Sequence, residues 1–166
     1  MVPTMNENIT LQDRGKTTRE YCENNLWDVY SEYNDLSNKA RARLVNSIAF
    51  ALNDEETVFS TGQVTDSENN MVEFAIFTNT RVIYFKGKSE EQQPALQIIP
   101  RRSLTGLTVL SSDTVIDAGR LLNDEAQYLL TYANGAEFKL PMKAARTAML
   151  EPINRCLPDL YRDLEA

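Results

Sequence analysis

The chain has no histidine among its 166 residues. That absence excludes Ser-His-Asp and Cys-His nucleophile pairs, histidine general bases and every zinc site built with imidazole. Cysteine is nearly as scarce. Cys22 and Cys156 stand 134 positions apart, too few for a four-cysteine metal site. Such a distant pair reads as two free thiols in a reducing compartment, so the expected location is cytoplasmic. No run approaches the roughly eighteen consecutive apolar residues of a membrane-spanning helix, and the polar start MVPTMNENITLQDRGK is not expected to act as a secretory signal.

Basic residues are also in deficit, 17 against 24 acids for a net charge of −7. Duplex-binding proteins draw most of their affinity from Lys and Arg on phosphates, so nucleic acid is not an expected partner. The charge is uneven. Residues 1–35 hold seven acids and three bases, residues 36–53 hold Lys39, Arg41 and Arg43 with no acid, and residues 54–70 hold five acids and no base. A local basic helix face therefore sits between two acidic stretches. Asp54-Glu55-Glu56 and Asp124-Glu125 lack the alternating oxygen ligands and glycine of a calcium loop. Ser103, Thr105 and Ser111 have no histidine partner, and there is no glycine-rich phosphate loop. No catalytic residue, metal or cofactor is expected.

What remains is an ordinary core-forming composition, 42% hydrophobic and 25% charged. Its most telling stretch is Val72 to Phe85, VEFAIFTNTRVIYF, two strand-like runs joined at Thr78-Asn79-Thr80. Val72, Phe74 and Ile76 share one face while Glu73 points the other way. Val82 to Phe85 carry apolar atoms on both faces, as a central strand does. Gln127 to Leu140, QYLLTYANGAEFKL, repeats the design around Asn134-Gly135, whose positive φ angles suit a tight hairpin. Thr57 to Val64, Ala95 to Ile99 and Ser103 to Leu110 read as further strands, with a bend at Pro100. Asp113 to Asp124 is ambiguous and reads mostly as loop, with a short strand as the alternative. Gly62, Gly106 and Gly119 are isolated and suit bulges.

Helices flank this β region. Residues 1–16 read as a flexible tail. Thr17 and Glu20 have capping-box spacing, and Tyr21, Trp27 and Tyr30 recur near one face, which predicts a helix over 18–33. Ser37 can cap a second helix whose stripe is Leu44, Val45, Ile48, Ala49 and Leu52. At the C-terminus Met142, Ala145, Met149, Ile153 and Leu160 trace a helix from about 142, with a restart expected near Pro152 and a break near Pro158.

The order FTNTRVIYF, then IIPRRSLTGLTVL, then LLTYANGAEFKL, then a terminal helix resembles the bacterial pleckstrin-homology-like (PH-like) domains, over roughly residues 54–157. In that family a strand ending in threonine turns into an Arg-hydrophobic-hydrophobic strand. The resemblance implies an α+β, mainly β fold: a bent antiparallel barrel of about seven strands capped by a C-terminal helix. It divides the chain into a tail (1–16), an N-terminal helical extension (17–53) and the barrel (54–166). It also implies a binding or assembly module. Membrane-binding relatives clamp inositol phosphates with bases on the first hairpin, but the matching Gln63 to Asn70, QVTDSENN, has two acids and no base. Membrane binding is thereby disfavoured.

The expected function is non-enzymatic protein–protein contact or self-assembly. Tyr21, Trp27, Tyr30 and Tyr33 are the candidate partner-binding residues, because Trp and Tyr anchor interfaces; the competing expectation is that they pack the helix onto its own domain. The alternative function is binding of an anionic lipid or small anion by Arg81, Lys86, Lys88, Arg101 and Arg102.

Overall fold

Three helices precede all the strands in the computed structural model, which describes residues 11–33, 39–89, 95–110, 116–117, 120–121, 127–142 and 150–165. By their contacts the residues divide into two units, 1–79 with 83–98, and 80–82 with 99–166.

The first unit opens with α1 (Leu11–Asn25), α2 (Trp27–Glu32) and α3 (Lys39–Leu52). The single helix expected over 18–33 is thus two. Asn24 and Asn25 are poor helix formers, and the chain steps out of helix at Leu26 (φ −130°, ψ 35°) before α2 begins. Residues 11–16, expected in the tail, are helical, so Thr17 and Glu20 lie inside α1 and do not cap it. Residues 1–10 and the Ser37 cap lie outside the described residues. α3 runs as its stripe predicts, with Leu44, Val45, Ile48 and Leu52 buried.

Strands β1 (Thr57–Asp66), β2 (Met71–Thr78), β3 (Arg81–Lys88) and β4 (Gln97–Pro100) follow, hydrogen-bonded in the order β1-β2-β3-β4. The β1–β2 turn is held by Asp66, whose carboxylate accepts the amides of Glu68 and Asn69 and the Asn69 side chain at 2.6 Å. The Asn69 side chain holds the Asp66 carboxyl below its ordinary range. Val72, Phe74, Ile76, Ile83 and Phe85 enter one core with Cys22, Leu26, Val29, Tyr30, Leu44 and Ile48. Period-two and helical spacing therefore meet on a single apolar face, and each fully buried side chain of this size contributes about 1.5–3 kcal/mol. β1 approaches α2 closely at Gly62. A Cβ there would stand 2.8 Å from Val29 Cγ2 and 3.0 Å from Leu26 Cδ2.

The second unit holds β5 (Leu104–Leu110), the short pair β6 (Ile116–Asp117) and β7 (Arg120–Leu121), then β8 (Gln127–Tyr132), β9 (Glu137–Leu140) and α4 (Leu150–Glu165). β5, β8 and β9 form a three-stranded antiparallel sheet in that order, and α4 packs against β5. The stacked rings of Tyr132 and Phe138, 5.8 Å between centroids, sit in its core beside Leu130, Leu140 and Leu160. At the β8–β9 turn only Gly135 takes a positive φ (+90°), while the Asn134 side chain accepts the Ala136 amide. The turn thus differs from the two-positive-φ form that Asn-Gly suggests.

Among the described residues the chain is α+β, with seven strands in two larger antiparallel sheets, the separate two-stranded β6–β7 pair and a C-terminal helix. The expected barrel is not closed among the described residues. Pro100 has no N–H for a ladder, and the 3-10 turn Arg101–Ser103 separates β4 from β5, with the Ser103 hydroxyl donating to the Pro100 carbonyl at 2.7 Å. Pro158 lies inside α4 without the expected break, and Pro152 is helical too. The expected start of that helix near 142 falls at 143–149, outside the described residues.

Candidate functional site

In the first unit, the end of α3 builds an unusual corner. Asn53 (φ 47°) and Asp54 (φ 67°) are consecutive left-handed residues, a conformation that Asn and Asp tolerate better than other side chains. The Asn53 amide donates to the Ala49 carbonyl at 3.3 Å and the Glu55 amide to the Leu52 carbonyl at 2.9 Å, which closes the helix end. The corner presents Asp54 to α1, where its carboxylate meets the Arg14 guanidinium at 2.7 Å. The Arg14 Nε is buried and finds no acceptor among the described residues.

Between α1, this corner and the start of β1 lies a cleft of about 530 Å³, within the range of small-ligand sites. Ala49, Leu52 and the Tyr21 ring give it hydrocarbon, and Thr17 and Thr18 give it hydroxyls. Burial pushes the Tyr21 phenol up, against hydrogen bonds with Ser60 and Thr57 that pull it down. Asp54, Glu55 and Glu56 line the same cleft against the single Arg14. It holds three carboxylates to one guanidinium.

A second polar cluster runs across the sheet of this unit. Glu73 is buried on β2 and accepts from the Tyr84 hydroxyl at 2.6 Å and from Gln63 Nε2 at 2.8 Å. Gln63 faces Glu73 in the β1–β2 register. Burial pushes the Tyr84 phenol up, and its bond to Glu73 pushes it further. The side that Glu73 faces is therefore buried and polar, where alternation alone suggests solvent.

The four candidate aromatics part company. Tyr30 and Tyr33 are buried in the unit's own core, and Tyr21 is packed against it. Trp27 is 55% exposed, its ring 6.1 Å from that of Tyr30. α3 adds Phe50, 69% exposed, on the side opposite its buried stripe. The basic face of α3 is partly used internally: the Arg41 guanidinium lies 4.7 Å over the Tyr30 ring and its Nε donates to the Tyr30 carbonyl.

Of the five candidate anion-binding bases, Arg81, Arg101 and Arg102 belong to the second unit, where the Arg101 amide donates to the Thr80 carbonyl at 2.9 Å, and Lys86 and Lys88 belong to the first. Arg101 is buried and donates to Asp163 at 2.9 Å, so its charge is neutralised within the second unit. Arg102 is exposed beside it. Lys86 and Lys88 lie at the other end of β3 from Arg81, about 17–23 Å along the strand at its usual rise. Cys22 and Cys156 are free thiols. Among the described residues no group of histidine, cysteine and carboxylate side chains is placed to hold a metal, and no helix is long and apolar enough to cross a membrane.

No protein-family model, curated protein or solved structure matches this chain.

The cleft escaped the sequence for a clear reason. Arg14 stands in a segment that reads as tail, and its partner Asp54 lies forty positions away in a stretch that reads as a helix stop. The consecutive Asn-Asp was the one available signal, since both residues favour the left-handed conformation.

Proposed function

We propose that this chain is a non-enzymatic protein-interaction module on a PH-like scaffold, working by contact with a partner protein or a second copy. What supports the scaffold is the order of elements: two larger antiparallel sheets of four and three strands, with the short β6–β7 pair between β5 and β8 in the chain, then a terminal helix. What carries the interaction reading is the exposure of two large aromatics on the helices that precede the sheet. Trp27 and Phe50 stay 55% and 69% exposed while Tyr30, Tyr33 and the rest of the helical stripes are spent on the unit's own core. Exposed tryptophan and phenylalanine gain most from being covered, and tryptophan is a frequent anchor of interface energy.

Because α1 and α2 form part of the core, deleting them would unfold the unit together with any interface. Point changes are the cleaner test. The double variant W27S/F50S is compared with the wild type by light scattering, on the purified chain and on the chain isolated with whatever it retains from its source cells. The reading expects a mass above the 18.9 kDa chain that falls to it in the variant while the melting transition is kept. Equal masses for both proteins in both preparations overturn it.

A further inference from the structure

Helix α3 turns a basic and aromatic face away from its own core, and we infer that this face docks an acidic, partly apolar segment of a partner protein. The inference rests on the interaction reading and gives the Phe50 part of that surface a chemistry.

α3 carries Lys39, Arg41 and Arg43 and no acid. Arg41 is spent within the unit, its guanidinium lying over the Tyr30 ring. Lys39 is exposed and Arg43 half-buried, and the Arg43 Nε is covered with no acceptor among the described residues. Lys39, Arg43, Asn46 and Phe50 follow one another three or four positions apart, so they form a single stripe along the helix. The buried residues Leu44, Ile48 and Ala51 lie on the other side. Along the axis Arg43 stands about 6 Å from Lys39, and Phe50 about 10 Å further on.

Charge complementarity selects the occupant. Carboxylates are the favourable partners of Lys39 and Arg43, and at Arg43 one carboxylate can accept a forked pair of hydrogen bonds. A covered guanidinium nitrogen without an acceptor is unfavourable, so a carboxylate here stabilises more than it would at a fully solvated arginine. Lys39 opens a first turn that contains no acid, and the positive end of the helix dipole adds to the same attraction. Phe50, 69% exposed, asks an apolar side chain of the same segment. This change of character along the stripe separates a protein segment from a polyanion. Past Phe50 the chain continues into the acidic residues 54–56. A phosphate backbone or an anionic membrane carries its charge evenly and would bring it against those acids. A protein segment can end its carboxylates where its apolar residue begins.

The test uses the full chain, isotope-labelled for amide NMR at low salt. The probes are alanine-based helical peptides with two glutamates and a leucine at the spacing of Lys39, Arg43 and Phe50, made in both chain directions. Controls replace the glutamates by glutamine or the leucine by alanine. One direction of the glutamate–leucine peptide should move the amides of Lys39, Arg43, Asn46 and Phe50, and both controls should bind more weakly. K39Q, at an exposed position, and R43Q should each weaken binding by up to about fivefold, and added salt should weaken it too. F50S should remove the advantage of leucine over alanine. No binding in either direction, equal binding of the glutamine control, unchanged affinity in K39Q/R43Q, or shifts confined to other surfaces would overturn the inference. A single-stranded oligonucleotide or phosphatidylserine vesicles bound more tightly than the peptide would overturn it as well, by marking a polyanion site. The two proposals fail separately. Silent peptides with assembly still dependent on Trp27 and Phe50 remove only the acidic segment. Peptides bound through Lys39 and Arg43, with masses that W27S/F50S leaves unchanged, support this face and remove the earlier reading.

Discussion

Replacing Tyr84 by phenylalanine removes one oxygen from the first unit and leaves the ring in place. That oxygen donates to the Glu73 carboxylate at 2.6 Å, and both residues are buried. Hydrogen bonds to charged groups contribute about 1.5–3 kcal/mol, and losing one leaves the buried acceptor short of a partner. Gln63 still donates to the other carboxylate oxygen at 2.8 Å, so the loss is expected inside that range and not beyond it. Urea unfolding should show Y84F with a lower midpoint and an unchanged slope. The charge itself should matter: in the background of Glu73→Leu, adding Y84F should cost far less than it does in the wild type, a coupling well above the roughly 0.3–0.5 kcal/mol scatter of independent sites. The pH dependence has a definite sign. Burial and then Glu73 raise the Tyr84 phenol above its ordinary 10.0 in the folded chain, so its contribution is complete below about pH 10 and is lost as pH rises toward the higher folded value. Y84F should therefore show a shallower alkaline loss of stability than the wild type. A Y84F midpoint indistinguishable from wild type, or strict additivity with Glu73→Leu, would refute the network.

Other consequences follow from single contacts. Asp163→Asn removes the carboxylate that meets the buried Arg101 guanidinium, a 2.9 Å contact that joins the 3-10 turn to α4, and should destabilise by about 1.5–3 kcal/mol, as the loss of a hydrogen bond between charged groups does, in calorimetry; a loss under half a kilocalorie would show the pair to be idle. Gly62→Ala forces a methyl to within 2.8 Å of Val29 and should cost about 1–3 kcal/mol by overpacking, read from the same urea curves, with a neutral result contradicting the close β1–α2 approach. Cys22 is fully buried and burial pushes its thiol up to about 12, so a thiol reagent should label the half-buried Cys156 first and Cys22 only on unfolding; equal native rates would contradict that burial.

The parts of the fold that were legible are those governed by local pattern. Val72, Phe74 and Ile76 alternate, Leu44, Val45 and Ile48 recur at helical spacing, and the structure places both sets on the face each pattern predicts. What stayed hidden depends on pairs distant in sequence. Gly62 read as a bulge, yet what it accommodates is the side of α2. Glu73 read as a strand residue pointing away from the core, since nothing near it announces Tyr84 and Gln63 as partners. Tyr30, Tyr33 and Trp27 share a spacing, and only the three-dimensional packing separates the two buried rings from the exposed one. Arg101 shows the same limit, because a charge next to another charge looks available until Asp163 arrives from α4, 62 residues on.

The central claim is that Trp27 is a surface this chain keeps for another protein. Trp27 is the only tryptophan, so a chain labelled with fluorotryptophan gives one fluorine NMR signal that reports this residue alone, even with unlabelled protein added. Recorded on the isolated chain at low concentration, the signal should show the water-dependent shift of an exposed ring, matching its 55% exposure. On assembly, whether with unlabelled copies or with source-cell extract, it should move, broaden and lose its sensitivity to exchange of light for heavy water. A complex whose formation is confirmed by its mass, with the Trp27 signal still unmoved and still solvent-sensitive, would contradict the account.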